Sequence, residues 1–299
     1  MRRSRKAKMY TDLPVCREWQ DARRRHPAVS EGYDINSAEY WEGCSAGYSS
    51  ERYDVIKEQI IDHLSNARIL GKDRTLLDVG SGPGTFAVPM SRSLKKITCM
   101  DIAPGMISRI DDICGKESIH NIDTFQSDWL RCEHAGRYDI VFSALCPAMN
   151  DPSSILKMEE HAERDCVYLS SINDEKTIHL EICDRIGKDF SFEGYNTEYP
   201  FRFLKEMGRE PEMKVFSERF ESKMSAEKMI ESEIRALSNY SEIPGLRDTV
   251  EETVLSHAVD GIIHTVGSIR MGLLIWKPIT NGADRNKTDQ DDLMTATDE

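Results

Sequence analysis

The sequence predicts an α/β fold with an open, largely parallel sheet covered by helices on both faces. Three observations carry this. Short apolar runs alternate with helix-patterned segments from Thr75 to Ser171. The first run ends in a loop with glycine at 80, 82 and 84. Acids stand at the ends of the second and third runs, at Asp101 and Asp128. Repeated strand and helix of this kind indicates strands buried on both faces and joined by helical crossovers.

Taken in order, residues 1–30 read as a basic, flexible or loosely helical arm. Residues 1–26 hold nine Lys/Arg against three acids. Ile56, Ile60, Ile61 and Leu64 recur at helical spacing and predict a helix over about 51–68. "TLLDV" is the first strand, "TFAVPMSRSL" a helix, "KITCMDI" the second strand and "GMISRIDDIC" a helix. "IDTFQSDW" contains the third strand, "YDIVFSAL" the fourth and "CVYLSS" the fifth. The helix between the last two opens with Asp151 as N-cap and Pro152 at its first position.

After Ser171 the alternation breaks. Residues 190–203 hold six aromatics in fourteen positions and are expected to form either a lid over an acceptor, with Tyr195 and Tyr199 in it, or an apolar packing patch. "EMKVFSERF" is a strand, residues 225–240 are a helix and "HTVGSIRMGLLIWKP" ends in a strong last strand. The tail, residues 281–299, is acidic and polar and is expected to be disordered.

With 299 residues, 39% apolar and 30% charged, the chain can bury one large core. The net charge of −13 argues against a nucleic-acid-binding body. No window approaches about 18 uncharged apolar residues, so no membrane span is expected. Eight cysteines without C-x-x-C spacing suggest reduced thiols in a cytoplasmic protein and no metal centre. His179 and Cys183, at i and i+4, lack a further metal ligand in the sequence.

The glycine loop sits where an open α/β sheet binds ligands, at the carboxyl end of its first strand. An acid such as Asp101, at the end of the second strand, is placed to accept hydrogen bonds from ribose hydroxyls. "LLDVGSGPG", "MDIAPGMI", "SDW" and "YDIVFSAL", in this order and spacing, resemble the class I S-adenosylmethionine-dependent methyltransferases. "EYWEGCSAGYSSERYD" resembles the segment that precedes the core in many members.

The resemblance implies a Rossmann-like, doubly wound seven-stranded sheet of order 3-2-1-4-5-7-6 with the last strand antiparallel. It also implies S-adenosyl-L-methionine as cofactor. Gly80, Gly82 and Gly84 would line its methionyl part, and Asp78 would orient the loop and help receive the amino group. Asp101 would bind the ribose with Ile102 against the adenine, and Asp128 would meet the adenine amino group with Trp129 beside it.

The domain expected from all this spans 31–280, with a cofactor half over about 70–171 and an acceptor or lid region over about 172–245. The arm should then be dispensable for cofactor binding. No acid–base constellation is evident; the weak catalytic candidates are Cys146, Asp151, Tyr195 and Tyr199. The acceptor is expected to be a small molecule. The alternative is a protein side chain, docked through the basic arm and lid.

Overall fold

The computed structural model describes residues 13–25, 34–49, 54–133, 135–172, 177–187, 193–238 and 243–279. The expected tail, 281–299, and residues 190–192 of the aromatic run lie outside these residues.

Before the sheet come three helices, α1 (Pro14–Arg25), α2 (Ala38–Ser45) and α3 (Asp54–Asn66). The core alternation follows as β1 (Thr75–Val79), the single turn α4 (Ala87–Met90), β2 (Lys96–Asp101), α5 (Pro104–Glu117), β3 (Ile122–Gln126), β4 (Tyr138–Ala144), α6 (Pro152–His161) and β5 (Ala162–Ser171). The chain then forms α7 (Ile178–Arg185), α8 (Glu198–Glu206), β6 (Glu212–Ser225), α9 (Ala226–Ser238), α10 (Leu246–Ser256), the two-residue β7 (Ala258–Val259) and β8 (Ile262–Trp276).

The main path of the sheet runs β3-β2-β1-β4-β5-β8-β6. Neighbours are parallel from β3 to β5, and β8 is antiparallel to both β5 and β6. With the short β7 set aside, this is the expected 3-2-1-4-5-7-6 order.

Helices cover both faces. On one, Ile56, Ile60 and Leu64 of α3 pack with Ile110 of α5 against Leu76, Ile97 and Phe142. On the other, Ile155 and Met158 of α6 and Phe203 and Leu204 of α8 pack against Val79, Val141 and Leu274. A third cluster joins Ile182 of α7, Ile230 and Leu237 of α9, Val250 and Val254 of α10 and Ile263 of β8. The region after Ser171 therefore has a small core of its own.

Two expectations are corrected. The helix after the glycine loop is only one turn of α-helix, Ala87–Met90, and passes directly into a 3-10 turn at Ser91–Ser93. The arm does not end outside the fold. Val15, Cys16, Trp19 and Ala22 of α1 are buried. Trp19 is fully buried, stacks on Tyr199 at 6.2 Å and donates from Nε1 to the Gly194 carbonyl at 2.8 Å. A boundary at residue 30 cuts this packing; the described part of the arm, Pro14–Arg25, belongs to the domain.

Candidate functional site

At the carboxyl ends of β1, β2 and β4 lies a cleft of about 930 Å3, its open mouth included. Its floor is the glycine loop. Gly80, Gly82 and Gly84 have φ of +69°, +52° and +82°. A side chain is disfavoured there whatever the space. At Gly80 a Cβ would stand 2.4 Å from the Cys146 Sγ, so the loop also needs glycine for its close approach to the segment after β4. At Gly82 a Cβ would meet no protein atom within 4 Å, so that position faces open space in the cleft.

The end of β2 holds the loop in place. The Gly80 and Ser81 amides donate to the Met100 carbonyl at 2.8 and 3.0 Å. The Asp101 carboxylate accepts from the Gly82 amide at 2.8 Å and from the Ala103 amide at 2.9 Å. Burial pushes the Asp101 pKa up, against the pull of those amides. Asp78, at 2% exposure, is pushed up to about 8 by burial and then by the Asp101 charge. In the ligand-free protein Asp78 therefore holds its proton near pH 7, and a cation bound beside it would favour its ionised form.

Asp128 and Trp129 follow β3 and line the cleft with Ile102. Asp128 Oδ1 accepts from the Leu130 amide at 2.8 Å, and Arg131 lies 3.4 Å from Oδ2. Trp129 is 3% exposed and so serves the core as well as the cleft. The Lys157 ammonium stands 4.5 Å from its ring centroid. Trp129 Nε1 is buried without a hydrogen-bond partner among the described residues.

Cys146 lines the cleft, but burial pushes its thiol up to about 12, leaving it a neutral group near pH 7 rather than a nucleophile. The other three catalytic candidates are not among the lining residues. Asp151 caps α6, accepting from the Ser153 amide at 2.8 Å, and lies 3.5 Å from Arg23. Tyr195 is buried under the Arg23 guanidinium, and Tyr199 stacks on Trp19. The expected lid gives way to packing, because α1 supplies the apolar partner of these rings. His179 is joined to Glu233 at 2.6 Å, and hydrogen bonds to Cys183 and Glu233 push its pKa up to about 10.

Sequence reasoning missed the wall opposite the loop. Asn36, Trp41 and Tyr48 line the cleft from a strap that includes α2. Glu42 accepts from the Gly105 amide in the first turn of α5 at 2.7 Å. Arg109 of α5 donates to the carbonyls of Ser45 and Tyr48 at 2.7 and 3.0 Å. The sequence signals were the aromatic content of the segment before the core and its resemblance to the segment that precedes the core in the family; neither reached Asn36.

Residues 76–163 match the family model described as "Methyltransferase domain". Among curated relatives, an uncharacterised protein of Haemophilus influenzae is 25% identical over 125 residues, 41% of this chain and 47% of the relative. A protein assigned as ribosomal RNA small subunit methyltransferase A of Methanosphaera stadtmanae is 26% identical over 110 residues, 37% of this chain and 40% of the relative. The matches thus span less than half the length of these two relatives. Among solved structures, the YcgJ protein of Bacillus subtilis aligns with a TM-score of 0.51 at 11% identity, covering 75% of this chain and 98% of that one. A candidate methyltransferase of Bacillus halodurans C-125 aligns with a TM-score of 0.50 at 14% identity, covering 74% and 99%. At these identities the structural likeness is one of fold.

Proposed function

We propose that the chain is a class I S-adenosyl-L-methionine-dependent methyltransferase that moves the cofactor's methyl group to a small-molecule acceptor by in-line displacement; the methyltransferase-domain match over residues 76–163 supports this reading. The cofactor fits the residues present. Its ammonium suits the buried acid Asp78, whose ionised form a neighbouring cation would favour, and the open position at Gly82 lets the ligand approach the backbone. When bound, it supplies an already activated methyl group.

The chain's own part is to bind, orient and exclude water. The glycine loop and Asp101 fix one side, Asp128 and Trp129 another, and the strap carrying Trp41 and Tyr48 walls the mouth. Cys146, held neutral, is no general base.

The observation that supports a small acceptor is the character of this cleft. Its described lining holds three acids and several aromatics, and no Lys, Arg or His. A phosphate-rich polymer would call for cations there. The described part of the basic arm uses its apolar stripe for packing, which lends no support to docking of a protein acceptor through it. The test is transfer of tritiated methyl from S-adenosylmethionine into fractionated cell extract. Label in small-molecule fractions supports the proposal; label confined to protein or RNA overturns it.

A further inference from the structure

Asn36 stands in a turn pinned from several sides. Its own amide donates to Asp34 Oδ1 at 3.0 Å, and the Ser37 amide donates to the Asp34 carbonyl at 2.9 Å. The Trp41 indole donates to the Ile35 carbonyl at 2.8 Å. Ser37 then caps α2, its hydroxyl accepting from the Tyr40 amide at 3.2 Å.

Within this fixed frame the Asn36 side chain lines the cleft, and its Oδ1 is buried without a hydrogen-bond partner among the described residues. A buried amide oxygen left unpaired is costly, and native folds rarely keep one without a use. The strap is in turn fixed to α5, the helix that follows Asp101. Glu42 accepts from Gly105 there, and Arg109 grips the carbonyls of Ser45 and Tyr48. Gly105 allows the approach, since a Cβ on it would lie 2.4 Å from Ser45 Oγ.

We propose that Asn36 is a cofactor-binding residue outside the matched domain segment, its Oδ1 accepting a hydrogen bond from a hydroxyl or amino group of S-adenosylmethionine, and that Glu42 and Arg109 are the positioning residues that hold it over the cleft. This rests on the reading of the cleft as the cofactor site. The oxygen can only accept, so its partner is a donor group of the ligand.

The test uses the full chain, with S-adenosylhomocysteine and 5′-methylthioadenosine as probes, calorimetry for affinity, stopped-flow tryptophan fluorescence for dissociation, and a melting curve for each variant. Asn36→Ala should weaken S-adenosylhomocysteine about fivefold, the scale of one lost hydrogen bond. Asn36→Asp, which keeps acceptor oxygens, should restore binding. Loss for both probes assigns a donor on the adenosine, a ribose hydroxyl or the adenine amino group, and loss for S-adenosylhomocysteine alone assigns the amino group of its amino-acid part.

Glu42→Ala should speed dissociation of S-adenosylhomocysteine several-fold, with Glu42→Gln between it and wild type. A folded Asn36→Ala that binds both probes like wild type overturns the proposal. If that variant melts early, unchanged dissociation from Glu42→Ala or failed binding by a folded Asn36→Asp overturns it instead. Wild-type protein that binds neither probe overturns the underlying reading of the cleft.

Discussion

The Asp101 carboxylate accepts a hydrogen bond from the Gly82 amide at 2.8 Å. The acid at the end of the second strand therefore shapes the glycine loop as well as facing the cleft. Asp101→Ala should weaken S-adenosylhomocysteine by about 1.5–3 kcal/mol, the range for charge-assisted hydrogen bonds. It should also lower the melting temperature, because the Gly82 and Ala103 amides lose their acceptor. A dissociation constant equal to wild type would reduce Asp101 to a turn residue.

Gly80 and Gly82 should fail differently. Gly82→Ala meets no protein atom and bears only left-handed backbone strain, about 1–2 kcal/mol. Gly80→Ala adds a collision with Cys146 Sγ and Cβ, 2.4 and 2.8 Å from the new carbon. Cys146→Gly in the Gly80→Ala background should recover the steric part and leave the strain. Urea unfolding of the two single variants and the pair measures this coupling. Additive losses would contradict it.

The pH dependence of the ligand-free protein should carry the mark of Asp78. Its folded-state pKa is raised to about 8, well above the unfolded value of about 3.9. The folded state therefore holds this proton more tightly. The stabilisation is complete below about pH 4 and is lost as pH rises toward about 8. Asp78→Asn cannot ionise, so its melting temperature should gain on wild type as pH is raised from 5 to about 8.5. Parallel melting curves across that window would show that Asp78 is already ionised in the fold.

Trp19→Ala should cost about 3–5 kcal/mol, the range for emptying a buried aromatic site. Removing residues 1–25 should cost at least as much stability, because it takes out the packing of Val15, Cys16, Trp19 and Ala22 together. Tyr199→Ala should lower the melting temperature and leave S-adenosylhomocysteine affinity within about threefold, since it packs on Trp19 away from the cleft. Loss of affinity without loss of stability would return Tyr199 to the site.

The strands β1 to β5 were legible because each apolar run is bounded by turn residues and its acids fall at strand ends. The sheet order came with the resemblance rather than from periodicity. The helix α1 was hidden because its narrow stripe of Val15, Cys16, Trp19 and Ala22 lies among the arginines of a basic stretch. The aromatic richness of 190–203 could not say what the rings pack on, since the partner lies far away in sequence. Nor could a lone Asn36 declare itself: its meaning depends on a turn fixed by Trp41 and a strap fixed by Arg109, more than sixty residues from the strap carbonyls it grips.

The central claim is that this cleft is an S-adenosylmethionine site. Calorimetric titration of S-adenosylhomocysteine into the wild-type chain tests it most directly. The account predicts saturable one-to-one binding that weakens in Asp101→Ala. Absence of binding by folded wild-type protein would contradict it.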